Sequence, residues 1–507
     1  MSLPLIEMKN IEKSFGGVKA LKGVDLTIFP GEIHCLAGEN GCGKSTLIKV
    51  LSGVHKPDSG EIYIEGEKHN YLATIGAIKK GIQVIYQDFS IFPNLTVAEN
   101  IALSKLKSEN KYLLNWRQVK KVAKEALGKI KIDLDLDEKL ENMSVADKQL
   151  VAIARALVQD ARLIIMDEPT TALTYKEVEN LFKVIQDLKK DNISILFVSH
   201  KMEEIFAISE QITVLRNGNN VVSEKARDLN VGKLVFHMTG RNLSEKYFKY
   251  TKVSDVPLLD VKKLGLTHIF EDINFSIFPG EIVGLTGLLG SGRTELAEAI
   301  FGIYPYDKGE ILVDGKLVKI KTVNDAINAG IVYVPEDRLT EGLFLEHSIE
   351  NNIVASTINK YLKNFKVVDY DKIKGKVDNW VQTLGIVTTD PKKPVQTLSG
   401  GNQQKVVISK WLSNKPKLLI LNGPTVGVDI GAKEDIHNII KEFAKENMGV
   451  LMISDDFEEL RHNCNRVLIM NKGRIQDEVI GRDLTELNTD STVAILADKK
   501  NEILVSE

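Results

Sequence analysis

The chain repeats itself over a long distance, and this internal duplication limits the folds that its 507 residues can adopt. The segment LKGVDLTIFPGE at 21–32 returns as FEDINFSIFPGE at 270–281, where the residue numbers are 249 higher. Further along, LIIMDEPT at 163–170 returns as LLILNGPT at 418–425, where the numbers are 255 higher. Solenoid repeats are far shorter, at roughly 20–50 residues. The sequence therefore predicts one domain that has been duplicated within a single chain.

The composition fits two ordinary globular domains. Hydrophobic residues make up 43% of the chain and charged residues 27%, which is the usual balance of soluble proteins. The polar segment 241–257 forms a short joint, and we expect the two domains at 1–245 and 255–500. The 66 basic and 69 acidic residues give a formal net charge of −3. This charge gives no reason to expect a nucleic-acid partner.

Three features bear on where the chain is located. No apolar run approaches the roughly 18 residues that cross a bilayer. The first residues, MSLPLIEMKN, lack the basic and apolar regions of a signal peptide. The three cysteines, Cys35, Cys42 and Cys464, do not form a disulfide framework and suit a reducing compartment. We expect a soluble, cytoplasmic protein, for which a membrane-bound partner remains open.

Each half carries the pattern of an α/β nucleotide-binding domain. In the first half, the apolar segment Ile33–Ala37 predicts a strand, and the apolar spacing within 47–51 predicts a helix. The run Leu163–Met166 predicts a buried parallel strand. The charged segment 115–131 predicts a helix with a solvated face rather than a nucleic-acid patch.

A glycine-rich loop follows the first of these strands. The segment Gly38–Ser45, GENGCGKS, fits the pattern G-x-x-x-x-G-K-[ST]. Glycines let main-chain N–H groups close around a β-phosphate, and the following helix adds partial positive charge. In this pattern Lys44 contacts the β- and γ-phosphates, and Ser45 is a magnesium ligand. The predicted ATP-binding residues here are Gly38, Glu39, Asn40, Gly41, Cys42, Gly43, Lys44, Ser45 and Thr46.

Polar residues at the ends of apolar segments are the predicted catalytic and metal-binding residues. Asp167 and Glu168 follow LIIM, where the first acid can hold magnesium through water and the second can orient the attacking water. Gln87 follows QVIY, and His200 follows ILFVS. We predict Glu168, His200 and Gln87 as catalytic residues. The predicted magnesium site consists of Ser45, Gln87 and Asp167.

These motifs resemble those of ATP-binding cassette domains. GENGCGKS, SVADKQ and LIIMDEPT carry the resemblance in the first half, and LSGGNQQ at 398–404 resembles the cassette signature motif. With GLLGSGRTE at 287–295 and PEDR at 335–338, the chain is most similar to the ATPases of bacterial monosaccharide importers, the ribose, galactose, xylose and arabinose class. The resemblance implies an α/β fold of two duplicated phosphate-loop ATPase domains, each with a mixed sheet and a helical subdomain.

The resemblance also implies cofactors, partners and a location. It implies ATP and Mg²⁺ as cofactors and integral-membrane permease subunits as direct partners. An extracytoplasmic sugar-binding protein would act through the permease. The chain would then be a peripheral protein on the cytoplasmic face of the plasma membrane. The sequence does not identify the sugar, and a nucleoside or a sugar-like signal molecule also remains open.

In the family, two cassettes pair head to tail, so each ATP lies between the phosphate loop of one and the signature of the other. Site one would join the first phosphate loop to the second-half signature, with Phe15 stacked on adenine. Small glycines in the signature let main-chain N–H groups approach the γ-phosphate, and serine adds a hydroxyl donor. The second-half residues of this site are Ser399, Gly400, Gly401 and Gln403.

Site two would join the loop at 287–294 to the first-half signature, and there the motifs are degenerate. Asn422 and Gly423 stand in the places of the two acids, so a magnesium ligand and a proton acceptor are missing. The other replacements are Arg293 for the lysine, Asp455 for the histidine, and Val145 and Ala146 for the signature glycines. Four residues are also missing before FEDINF, and no aromatic residue matches Phe15. We therefore predict one hydrolytic site, and one that binds nucleotide weakly or only structurally.

Two other functions fit a chain with tandem cassettes. A soluble ATPase of translation or repair also lacks membrane spans, but the near-neutral charge suits contact with ribosomes or DNA poorly. A regulatory protein that only senses nucleotide would not need Glu168 and His200. The energy-coupling subunit of an importer is the function that the sequence favours.

Overall fold

A computed structural model gives the fold. It describes residues 3–86, 90–108, 115–170, 173, 175–199, 201–241, 248, 250–288, 290–363 and 367–480. The chain divides into two compact units, Met1–Leu243 and Ser244–Glu507. No helix within the described ranges is long and apolar enough to cross a membrane.

The first unit contains two sheets and several helices. Its strands are β1 (Ile6–Phe15), β2 (Val18–Ile28), β3 (Ile33–Ala37), β4 (Ser59–Ile64), β5 (Glu67–His69), β6 (Ile82–Ile85), β7 (Leu163–Asp167), β8 (Ser194–Val198), β9 (Gln211–Arg216) and β10 (Asn219–Lys225). Its α-helices are α1 (Lys44–Leu51), α2 (Thr74–Lys79), α3 (Val97–Ser108), α4 (Trp116–Lys129), α5 (Val145–Val158), α6 (Tyr175–Lys190), α7 (Met202–Ile208) and α8 (Val231–Thr239).

The larger sheet brings the predicted motifs to one edge. Its order is β10-β9-β3-β8-β7-β6, and the pairs from β9 to β6 are parallel, whereas β10 runs antiparallel to β9. Strands β3 and β8 are buried at every residue, as expected for parallel strands with covered faces. Because parallel strands end at the same edge, the loop after β3 lies on the same side as the two acids at the end of β7. The prediction of a mixed sheet is confirmed.

The segment between β6 and β7 forms a helical subdomain. Buried apolar residues of α3, α4 and α5 form one cluster, which includes Val97, Ile101, Val119, Leu127 and Val151. Helix α4 confirms the helix predicted at 115–131, and its charged residues are mostly exposed. The side chain of Asn115 caps this helix by accepting a hydrogen bond of 3.1 Å from the main-chain N–H of Arg117.

The second unit repeats this arrangement. Its strands are β11 (Leu259–Leu266), β12 (Phe270–Ile277), β13 (Ile282–Gly287), β14 (Lys308–Val313), β15 (Lys316–Val318), β16 (Ile331–Val334), β17 (Leu418–Asn422), β18 (Gly449–Ile453), β19 (Arg466–Asn471) and β20 (Arg474–Ile480). Its α-helices are α9 (Arg293–Phe301), α10 (Val323–Ala329), α11 (Ile349–Val354), α12 (Tyr370–Thr383), α13 (Gly400–Leu412), α14 (Ile430–Lys445) and α15 (Phe457–Asn463).

The two units share one topology, as the duplication predicts. The second large sheet has the order β16-β17-β18-β13-β19-β20, which is the order of the first sheet read from its other end. Strand β13 begins 249 positions after β3, and β17 begins 255 positions after β7. The two offsets found in the sequence therefore relate equivalent strands.

The first hairpin differs between the units. In the first unit Ile11 pairs with Val24, and in the second Leu264 pairs with Ile273. Strands β1 and β2 have 10 and 11 residues, whereas β11 and β12 have 8 each. The residues missing from the second half therefore come from the end of the hairpin, where Phe15 lies in the first unit.

Candidate active site

The first phosphate loop connects β3 to α1 and requires glycine for two reasons. Gly38 has φ 151° and Gly43 has φ 113°, which are backbone conformations that side chains disfavour. A Cβ at Gly38 would lie 2.4 Å from the carbonyl oxygen of Leu215, and one at Gly43 would lie 2.8 Å from that of Ala20. At Gly41, such a Cβ would have no heavy atom of the described residues within 4 Å other than those of Gly41 and its two chain neighbours. The loop is thus packed on one side and open on the other.

Lys44 lies inside this loop. Its side chain is only 6% exposed, and its Nζ donates hydrogen bonds to the carbonyl oxygens of Gly38 at 2.6 Å and Glu39 at 2.9 Å. An ammonium has three donors, and the described residues accept hydrogen bonds from two of them, which leaves one N–H for a phosphate oxygen. Ser45, the next residue of α1, is exposed, and Thr46 is half-buried. Charge and hydroxyl groups are therefore combined at the start of the helix, as a phosphate site requires.

Asp167 ends β7 and Glu168 follows it, at the edge of the sheet where β3 leads into this loop. Burial raises the pKa of the Asp167 carboxyl, the charge of Glu168 raises it further, and the positive charges of Lys44 and Lys49 oppose both effects. Lys44 is therefore near enough to Asp167 for its charge to act on the pKa of that carboxyl. Glu168 has φ 48° and donates its main-chain N–H to the carbonyl of Val198 at 3.0 Å. The adjacent strand β8 thus fixes the backbone that carries the predicted catalytic carboxylate.

Of the other predicted site residues in the first unit, the structure describes Phe15. Gln87 and His200 lie outside the described residues. Phe15 lies at the end of β1, where it is 44% exposed. Its ring is 5.1 Å from that of His55, in an edge contact, and 5.5 Å from the Nζ of Lys13. An aromatic ring at this exposed position is available to stack on a base.

The signature of the second unit begins α13. Ser399 is the exposed N-cap residue of this helix. A Cβ at Gly400 would lie 2.8 Å from a terminal guanidinium nitrogen of Arg338, and a Cβ at Gly401 would lie 2.4 Å from the Cβ of Ala432. Packing against Ala432 therefore requires glycine at 401, and the Gly427 carbonyl oxygen, 3.0 Å from a Cβ at Gly400, also disfavours a side chain there.

Arg338 holds this signature in place. Its two terminal nitrogens donate to the carbonyl oxygens of Val426 at 2.7 Å and Gly427 at 3.1 Å, and its Nε donates to Gln403 Oε1 at 3.4 Å. Gln403 is buried, and its amide nitrogen donates to the carbonyl of Val395 at 3.5 Å. The side chain predicted as a nucleotide contact is thus engaged behind the signature, and its contact with nucleotide stays a prediction.

The basic side chain of the second phosphate loop is already paired within the protein. Arg293 donates to the carbonyl oxygen of Gly287 at 2.6 Å and forms an ion pair with Asp455. Asp455 is the residue that replaces the histidine of the first half. A carboxylate in this place neutralises the guanidinium and would repel the γ-phosphate.

In the second unit, Asn422 stands in the place of the metal-binding acid, and its side chain forms hydrogen bonds within the protein. The Nδ2 of Asn422 donates to Thr294 Oγ1 at 3.3 Å and to the Tyr333 hydroxyl at 3.2 Å. Thr294 follows Arg293 as Ser45 follows Lys44, so the hydroxyl that would bind a metal accepts a hydrogen bond instead. A Cβ at Gly423 would lie 3.1 Å from Cγ of Glu336. The second unit thus has Asn422 and Gly423 where the first has two consecutive acids, and the Glu336 side chain approaches the place of the second acid.

A comparison with protein families adds to this geometry. The family model described as "ABC transporter" matches residues 21–171 and 270–426. The chain belongs to this family of ATP-binding cassettes. Both matched segments begin in the first hairpin of their unit and extend past β7 or its equivalent β17, so each unit is one cassette.

Relatives match the two cassettes together. Ribose import ATP-binding protein RbsA of Bacillus subtilis (strain 168) is 40% identical over 481 residues, 95% of this chain and 97% of that protein. The protein of the same name from Clostridium perfringens (strain SM101 / Type A) is 41% identical over 505 residues, 98% of this chain and 99% of that protein. RbsA 1 of Streptomyces coelicolor is 41% identical over 485 residues, 96% of each chain.

The side chain of Cys42, in the loop of the first cassette, is buried. Its side chain is 5% exposed, and burial raises the pKa of its thiol. Cys35 is buried in β3, where burial raises its pKa to about 12, and Cys464 is buried as well. The loop tolerates Cys42 because the side chain points into the protein, and a ligand would meet its main chain.

We expect slow alkylation of Cys42 in the folded protein. A raised pKa lowers the thiolate fraction at neutral pH, so iodoacetamide should react at least about tenfold more slowly at pH 7.5 than with the chain in urea. The rate should increase as the pH rises toward the elevated pKa. Mass spectrometry of the cysteine-containing peptides gives both rates. Rapid modification at pH 7.5 that ATP does not slow would contradict the placement of Cys42 within the nucleotide loop.

Proposed function

We propose that the chain is the ATP-hydrolysing, energy-coupling subunit of an importer for a monosaccharide, with one hydrolytic site. The observation that supports one site is the contrast between the two cassettes. In the first, Lys44 lies within the loop, and its charge acts on the Asp167 carboxyl next to Glu168. In the second, the corresponding cation is paired with Asp455, and Asn422 is hydrogen-bonded to neighbouring hydroxyls.

The first cassette carries groups that suit magnesium. Ser45 supplies an exposed hydroxyl, and Asp167 a partly buried carboxylate whose pKa is raised by burial and by Glu168. A cation bound there would offset the repulsion between the two acids, and hydroxyl and carboxylate oxygens are ligands that magnesium accepts. We propose that Ser45 and Asp167 hold Mg²⁺ together with Gln87. When bound, the ion would neutralise charge on the β- and γ-phosphates.

The protein residues then divide the work of hydrolysis. Lys44 binds the β- and γ-phosphates through the N–H that the loop carbonyls leave free. Glu168 orients a water molecule and accepts its proton as the water attacks the γ-phosphorus. We propose that Ser399, Gly400 and Gly401 complete the site by donating to the γ-phosphate, as head-to-tail pairing of cassettes would place them.

The proposal extends to partners and location. The relatives named above are import proteins for ribose, and by this similarity we assign the chain to permease subunits and an extracytoplasmic sugar-binding protein that acts through them. The chain would lie on the cytoplasmic face of the plasma membrane. ATP binding favours the closed pair of cassettes, and hydrolysis allows the pair to reopen, so that the permease follows a shift in populations. The names of the relatives give no support to a role in translation or repair.

Uptake by reconstituted vesicles tests this function. The chain would be purified with the polytopic membrane protein encoded beside it, and vesicles containing both would receive the neighbouring binding protein and radiolabelled ribose, galactose, xylose or arabinose. We expect ATP-dependent accumulation of one of these sugars. Vesicles with the Glu168→Gln chain are the matched control, because they should bind ATP without accumulating sugar. Accumulation of a nucleoside and of none of the sugars would contradict the proposed substrate class.

A further inference from the structure

The hydroxyl of Ser399, at the start of the second signature, has a defined hydrogen-bonding direction. The Nδ2 of Asn402 donates a hydrogen bond to Ser399 Oγ at 2.9 Å. A serine hydroxyl has one hydrogen and two lone pairs. Because this contact uses a lone pair of the oxygen, the hydroxyl hydrogen remains available to donate elsewhere.

A second contact fixes the orientation of the Asn402 amide. Its Oδ1 accepts a hydrogen bond of 2.8 Å from the main-chain N–H of Val387. A main-chain N–H can only donate, so the amide oxygen must face Val387 and the amide nitrogen must face Ser399. A reversed amide would lose the hydrogen bond from Val387 and set its own N–H groups against that main-chain donor.

The first cassette has the opposite arrangement at the corresponding positions. Ser144 donates its hydroxyl hydrogen to Asp147 Oδ2 at 2.7 Å, and its oxygen accepts the main-chain N–H of Asp147 at 3.1 Å. Asp147 is the counterpart of Asn402, because the signature blocks differ by 255 positions. In this cassette the hydroxyl hydrogen is already used, and a carboxylate carries negative charge beside it.

We propose that Asn402 is a positioning residue that makes Ser399 a hydrogen-bond donor to the γ-phosphate, whereas Asp147 makes Ser144 unable to act in this way. The inference rests on the proposed function, in which the second signature faces the ATP held by the first phosphate loop. The amide of Asn402 would then let the second signature bind phosphate, whereas the carboxylate of Asp147 would make the first signature repel it.

Two substitutions at Asn402 separate hydrogen-bond direction from packing. Asn402→Asp keeps the shape but creates the arrangement of the first cassette, so we expect the KM for ATP to rise by at least about tenfold, the usual effect of a lost hydrogen bond to a charged group. Asn402→Ala removes the amide but leaves the hydroxyl hydrogen free, so we expect a change within about threefold. Both are measured as steady-state ATP hydrolysis by the chain in complex with its permease.

Three controls make the test specific. In a Ser399→Ala background, the penalty of Asn402→Asp should shrink, because the residue acts through that hydroxyl. Asp147→Asn should leave turnover unchanged, since site two does not hydrolyse. Thermal unfolding should show that both Asn402 variants are folded at the assay temperature, with the midpoint of Asn402→Ala lower because it loses the acceptor for the Val387 N–H.

The outcomes distinguish this inference from the proposed function. If Ser399→Ala raises the KM for ATP but Asn402→Asp does not, Asn402 has no positioning role and the composite site stands. If Asn402→Ala is as harmful as Asn402→Asp, the residue acts by packing, and the inference is wrong. If Ser399→Ala itself leaves KM and kcat unchanged, the second signature does not serve the ATP site, and both proposals fail.

Discussion

Replacing Lys44 with alanine is expected to weaken ATP binding by about 100-fold, as the loss of charge-assisted hydrogen bonds to two phosphates implies. The ammonium is held by the carbonyls of Gly38 and Glu39, so its position does not depend on the nucleotide. Without the ammonium, the carbonyl oxygens of Gly38 and Glu39 would face the phosphate oxygens directly, and the repulsion between these oxygens would disfavour binding. Equilibrium titration of the purified chain with a fluorescent ATP analogue measures the change.

Arg293→Ala is the matched control for this substitution. Arg293 occupies the same place in the second loop, but its charge is already neutralised by Asp455. We therefore expect the affinity of the tight nucleotide site to change by less than about twofold. Equal losses of affinity in the two variants would show that the second loop binds phosphate as strongly as the first.

Replacing Glu168 with glutamine is expected to reduce ATP hydrolysis by about 100- to 10,000-fold, the range attributed to a general base. Glutamine keeps the size of the side chain, and the backbone at φ 48° stays bonded to Val198, so the site should keep its shape. The amide cannot accept the proton of the attacking water. Phosphate release by the complex with its permease measures the loss, and the titration used for Lys44 should show that ATP still binds.

Gly423→Glu is the matched control in the second cassette. Gly423 has φ 56°, close to that of Glu168, and its N–H bonds to Ile453 at 2.9 Å, so the backbone is already suited to the substitution. A Cβ would lie 2.8 Å from Cγ2 of Val426 and 3.1 Å from Cγ of Glu336, and both side chains can shift. The added acid would still lack a metal ligand at Asn422. We therefore expect no gain in turnover.

The sequence predicted most of the fold, and it predicted the loop at which we propose the first phosphate site. The duplicated blocks gave equivalent strands, and the spacing of glycines, Lys44 and Ser45 is a local pattern that needs no tertiary information. The carboxyl edge of a parallel sheet then brings Asp167 to the loop, because strand ends meet there. These features depend on residues that are close in the chain or on a general property of the fold.

The remaining features depend on contacts between distant segments. The sequence showed Arg293 and Asp455 as separate replacements, but their ion pair arises only when β13 and β18 lie side by side. Arg338 was present only as part of a family motif, and its support of Gly400 depends on the loop after β17. The buried side chain of Cys42 likewise could not be predicted from a loop motif that specifies main-chain conformation.

Steady-state ATP hydrolysis by the Glu168→Gln and Gly423→Glu chains, measured side by side in complex with the permease, tests most directly whether one site hydrolyses ATP. We predict that Glu168→Gln falls to about a hundredth of the native rate or less, as for a lost general base, while Gly423→Glu keeps the native rate. Substantial turnover by Glu168→Gln, or a clear increase in Gly423→Glu, would show that the second site can hydrolyse ATP and would contradict the asymmetric mechanism.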